Sequence, residues 1–95
     1  MHRKHGTFTK PTPFRYQAPH AHRVSLVVRP AKGGHFTTHP MHKAVDGCWQ
    51  STLELERGRY LYHFVVDGHH ALDPASRGSV PDEHNRMQSI REVGH

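Results

Sequence analysis

The segment Arg59-Tyr60-Leu61-Tyr62-His63-Phe64-Val65-Val66 constrains the fold more than any other part of the chain. In an extended strand, Tyr60, Tyr62, Phe64 and Val66 share one face, and Leu61, His63 and Val65 share the other. Aromatic and β-branched residues dominate it, as a pleated, buried surface prefers. Arg57-Gly58 precedes it and Asp67-Gly68 follows it, and both pairs are turn signals. A strand with so large an apolar face needs neighbours to cover it.

The neighbours are legible. Phe14-Arg15-Tyr16-Gln17-Ala18 alternates with period two until Pro19 stops it. Arg23 to Val28 puts Val24, Leu26 and Val28 on one face and ends before Pro30. The Asp46-Gly47 turn leads into residues 48–55, which direct Trp49, Ser51, Leu53 and Leu55 inward. His69 to Leu72 is a short extended piece. Asp73-Pro74 opens a polar loop, and Gln88 to Val93 is a last strand. Residues 29–43, with Gly33-Gly34 and two prolines, have no sustained period and are expected to form a long loop. No segment shows two turns of helical periodicity. Short strands between Gly, Pro and Asp turns predict an all-β sandwich of about six to eight antiparallel strands.

At 95 residues the chain has material for one domain. No apolar stretch nears the roughly 20 residues of a membrane-spanning helix. The start, MHRKHGTF, is basic but has no apolar run behind it, so a secretory signal is not expected. Cys48 is the single cysteine and has no partner for an internal disulfide. A cytoplasmic protein is expected, with Cys48 as a half-exposed strand thiol.

The charge is uneven. Residues 1–23 carry Arg3, Lys4, Lys10, Arg15 and Arg23 and no acid, so the formal +5 sits in the first quarter of the chain. This predicts a basic, mobile leader over residues 1–12 and a sandwich over 13–95. A basic leader on a neutral body does not point to nucleic acid, which is usually met by a patch across the folded surface. The twelve histidines make the protein more cationic in mild acid.

From Phe14 to Val93 the chain resembles carbohydrate-binding module family 48. That family includes the glycogen-binding domain of AMP-activated protein kinase β-subunits and N-terminal domains of branching and debranching enzymes. The resemblance lies in F-R-Y-Q-A-P-H-A-H-R-V-S-L-V, in D-G-C-W, in G-R-Y-L-Y-H-F-V-V-D-G, in the D-P that follows, and in Q-S-I-R-E-V at the end. It implies an immunoglobulin-like β-sandwich of the early-set type that binds α-glucan without catalysing a reaction. The family's sugar contacts are replaced. Its G-x-F-N-x-W segment, whose tryptophan stacks on glucose, corresponds to Val28-Arg29-Pro30-Ala31-Lys32-Gly33. The second tryptophan corresponds to His70, the lysine of Y-x-Y-K-F to His63, and the sugar-bonding asparagine to Gln88. The leucine and threonine upstream correspond to His84 and Arg86.

An aromatic platform carries about 150–250 Å² of buriable surface. Losing two of them removes several kcal/mol of attainable binding energy, at roughly 25 cal/mol per Å². His63, His70 and Gln88 are therefore the expected carbohydrate-binding residues of a degenerate, weak α-glucan site. The alternative partner is a protein, bound by a regulatory module on the same scaffold. Trp49, Tyr60, Tyr62 and Phe64 are expected in the core. His63, on the opposite face, is either an exposed strand residue or a ligand contact.

No catalytic residue and no cofactor is expected. Asp67 and Asp73 are turn residues by context, and Glu54 and Glu56 are solvated charges. The pairs His20/His22, His39/His42 and His69/His70 suit adventitious metal binding, and their spacings match no compact zinc motif.

Overall fold

A computed structural model describes residues 8–94. It contains nine β-strands and no helix among the described residues. The strands are β1 (Thr9–Gln17), β2 (Val24–Pro30), β3 (Thr37–Pro40), β4 (His42–Lys43), β5 (Cys48–Glu56), β6 (Gly58–Val66), β7 (His69–Ala71), β8 (Ser79–Pro81) and β9 (Met87–Val93). One sheet has the order β1-β5-β4. The other has the order β3-β2-β6-β9-β8, with β7 added beside the far end of β6. Every pairing is antiparallel. The two sheets form the expected immunoglobulin-like sandwich.

β6 is central because both of its faces are apolar enough to be covered. Its inner residues Tyr60, Tyr62 and Phe64 are buried, and register places Val28 beside Tyr62 and Leu26 beside Phe64. Phe14 and Tyr16 of the smaller sheet meet this row. Phe14 packs edge-on to Tyr62 at 5.0 Å, and Tyr16 lies 4.8 Å from Phe64. Such offset and edge contacts are the preferred aromatic geometries. Trp49 is buried as expected, and its Nε1 donates to the Ala18 carbonyl. Asp73 is more than a turn residue: it accepts the Tyr62 hydroxyl at 2.7 Å, which satisfies a polar group at the edge of the core.

Two hairpin turns are decided by backbone geometry. Asp67 and Gly68 both have positive φ, 48° and 86°, as a two-residue hairpin turn requires. The Asp67 carboxylate also accepts the backbone N–H groups of His22 and Arg23, which ties the start of β2 to this hairpin. At Gly47, φ is 82°, and a Cβ there would stand 2.7 Å from the Cβ of Pro19, so only glycine closes that turn.

Four expectations need correction. β1 begins at Thr9 and takes in Thr9–Thr12, which the sequence assigns to the leader; residues 1–7 lie outside the described residues. The expected loop at 29–43 holds β3 and β4. These are edge strands with mostly exposed residues, so they carry no alternation to read. Between them only Met41 is buried, and there the chain passes from one sheet to the other. β8 is likewise fully exposed and is defined by its pairing with β9. Cys48 is buried, not half-exposed, because it pairs with Gln17 while its carbonyl takes the Ala44 N–H.

Candidate functional site

The outer face of the larger sheet carries the site. β6 alternates strictly, so burying Tyr62 and Phe64 inward sends His63 outward. Antiparallel register then builds the surroundings. Val27 of β2 stands opposite His63, and His70 of β7 stands opposite Val65. Gln88 of β9 stands opposite Val80 of β8.

The three residues expected to contact sugar, His63, His70 and Gln88, come together. His63 Nδ1 lies 2.8 Å from Gln88 Oε1. The His70 ring stacks on the His63 ring, with centroids 4.0 Å apart and planes 22° apart. His70 Nε2 is 3.0 Å from the Met87 carbonyl, and Arg86 Nη2 is 3.1 Å from His70 Nδ1. His63 is not the exposed strand residue that one expectation allowed. It is only 8% exposed, because His70 lies over it and Phe36 flanks it edge-on at 5.9 Å. Gln88 is 1% exposed and acts as a strut. Its amide nitrogen donates to Asp82 Oδ2 at 3.0 Å, and its amide oxygen faces His63. His70 and Arg86 are exposed.

Asp82 organises the turn between β8 and β9. Its Oδ1 accepts the backbone N–H groups of His84 and Arg86, and its Oδ2 accepts from Gln88. These donors, the Arg86 N–H foremost, hold its carboxyl down to about 2. His63 is held below the ordinary histidine range, first by burial; the bond to Gln88 opposes this, and the nearby His70 and Arg86 add to it.

This has a stability consequence. Above about pH 6.5 the imidazole is neutral in both folded and unfolded chains, so the burial of His63 costs no proton. As pH falls below about 6.5 the unfolded chain binds the proton first, and folding loses stability until the folded-state value is passed. Urea midpoints taken at about pH 7.5 and about pH 5 should fall more for the wild type than for His63→Phe. An equal fall in both proteins would remove His63 as the cause.

Sequence reasoning missed two members of the site. Phe36 restores an aromatic ring beside His63, and the Arg29 guanidinium sits 5.1 Å from its centroid. It was missed because it lies in the segment expected to be a loop, three residues beyond Gly33. Arg29 is the second. It is buried on the same face, paired through Nη2 with Glu83, and its Nε has no partner. Its position on β2, two residues along from Val27 and so on the same face, was the available signal. Among the described residues no three His, Cys, Asp or Glu side chains converge as a metal site.

What the face offers chemically is one exposed flat ring, His70, stacked on His63, which the half-buried Phe36 flanks, with a guanidinium at the rim. Such a surface can stack on a ring and hydrogen-bond to hydroxyls.

Solved structures similar to this chain include pullulanases. An Anoxybacillus pullulanase matches with a TM-score of 0.68 at 22% identity, over 93% of this chain and 14% of that one. A Bacillus acidopullulyticus pullulanase matches with a TM-score of 0.61 at 24% identity, over 98% and 12%. A Klebsiella pneumoniae pullulanase complexed with maltotriose matches with a TM-score of 0.60 at 22% identity, over 92% and 9%. The chain thus spans about a seventh of such an enzyme or less, and the likeness is one of fold. No curated protein matches the chain. The family model of carbohydrate-binding module 48 (isoamylase N-terminal domain) matches residues 2–84, which takes in every strand but β9, and the chain belongs to that family.

Proposed function

We propose that the chain is a non-catalytic α-glucan-binding module with a weak sugar site on the outer face of its larger sheet. The observation that carries this is the His70 ring, laid flat on His63 and turned to solvent, with Phe36 beside the pair. A glucose unit stacks its C–H face on such a ring, and Arg86 at the rim donates to sugar hydroxyls. His63 and Gln88 work from beneath. Their mutual hydrogen bond fixes the height and tilt of the platform.

An imidazole offers less surface than an indole, so the expected Kd is on the order of millimolar. The use of the Gln88 amide within the protein favours the competing view, a module that binds a protein partner and has given up sugar. Titration of labelled protein with β-cyclodextrin and maltoheptaose, followed by backbone amide shifts, separates the two. Saturable shifts centred on Phe36, His70, Arg86 and Gln88 are expected. His70→Trp should tighten binding roughly tenfold by enlarging the platform. Absence of shifts at millimolar sugar, in both the wild type and His70→Trp, would sink the carbohydrate reading.

A further inference from the structure

We propose that this face is proton-gated: the His70–His63 platform holds together only while His70 is neutral, and glucan binding weakens as the pair takes up protons in mild acid. The inference rests on the glucan-binding role proposed for the same face.

The identities of the hydrogen-bond partners specify the protonation state. An arginine guanidinium has donors only, so His70 Nδ1 must accept from Arg86 Nη2 and carries no proton. A backbone carbonyl only accepts, so His70 Nε2–H donates to the Met87 oxygen. Both ring nitrogens therefore name the same neutral tautomer. A proton added at Nδ1 would set donor against donor and bring a second positive charge 3.1 Å from the guanidinium. The His63 side is fixed in the same way. Because Gln88 Nε2 donates to Asp82, its oxygen faces His63, and His63 Nδ1–H is the donor.

The charged groups around the pair come from several elements. The β8–β9 turn supplies Arg86, Asp82 and, next to them, His84. Asp82 is the acid that would favour a cation, and three N–H groups already share its charge. β2 supplies Arg29, which is turned to Glu83 and Phe36. The segment leading into β3 supplies Phe36, with His35 beside it in sequence. A protonated His70 thus faces a guanidinium at its edge and another imidazole 4.0 Å below. It leaves the stack, and the flat surface goes with it.

Two readouts test the gate. Imidazole nitrogen spectra of the labelled protein at about pH 7.5 should show His70 Nδ1 without its proton and His70 Nε2 with it. They should also show His63 Nδ1 protonated. A proton on His70 Nδ1 at that pH overturns the gate whatever the sugar result. β-Cyclodextrin titrations should give a Kd on the order of tenfold higher at about pH 5 than at about pH 7.5. His70→Phe keeps a flat ring and has no titrating nitrogen there, so its ratio should shrink to within about twofold. Equal affinity at both pH values, or an undiminished ratio in His70→Phe, overturns the gate and leaves the glucan role standing. No binding by the wild type at either pH overturns both.

Discussion

Phe64→Ala is expected to cost about 3–5 kcal/mol, the range for deleting a fully buried aromatic ring. Phe64 is completely buried, stands beside Leu26 in the register and packs against both Tyr16 and Tyr62. It joins the two sheets where β6 passes from β9 to β7, so a cavity there has little room to collapse. A domain of this size is typically stable by about 5–15 kcal/mol, and a loss on this scale leaves a substantial unfolded fraction. Urea denaturation followed by tryptophan fluorescence reports it, because Trp49 lies in the same core. A shift in stability below about 1 kcal/mol would mean that this part of the core repacks freely, contrary to the argument.

The second large effect is an asymmetry at Arg29 and Glu83. The Arg29 side chain is 5% exposed, while the Glu83 side chain is 59% exposed. Glu83→Ala leaves a buried guanidinium whose Nε already has no partner and whose Nη1 keeps only the Pro30 carbonyl. Water reaches the vacated carboxylate position, so the loss is smaller than for a fully buried pair, about 1–3 kcal/mol. Arg29→Met removes the buried charge itself and leaves Glu83 in solvent. It should stay within about 1 kcal/mol of the wild type, in either direction. Equilibrium unfolding of both variants decides the matter, and an Arg29→Met protein less stable than Glu83→Ala would refute the asymmetry. The pair also affects the site, since Arg29 supports Phe36 and Glu83 belongs to the turn that carries Asp82 and Arg86.

The proposed sugar site and the proposed proton gate depend on the same turn. Asp82 holds Gln88, Gln88 holds His63, and Arg86 holds His70. A network of imidazole, amide and guanidinium occupies the face.

The sequence by itself determined the sandwich and its core. Tyr60, Tyr62 and Phe64, Val24 and Leu26, and Phe14 with Tyr16 recur at period two along their strands, and a strand's two faces follow from that spacing without tertiary information. The Asp46-Gly47 and Asp67-Gly68 turns were legible for the same local reason, since a positive φ admits few residue types. The outward direction of His63 followed from its place between Tyr62 and Phe64. Its burial did not. Only the packing of His70 and Phe36, from segments seven and twenty-seven residues away in the chain, decided that His63 is covered. β3, β4 and β8 were likewise invisible, because an edge strand with exposed side chains is defined by backbone pairing alone. The protonation states at the site belong to the tertiary structure too. A histidine's tautomer is set by the partners it meets, and here Arg86, Met87 and Gln88 are brought by the start of β9 and the turn before it.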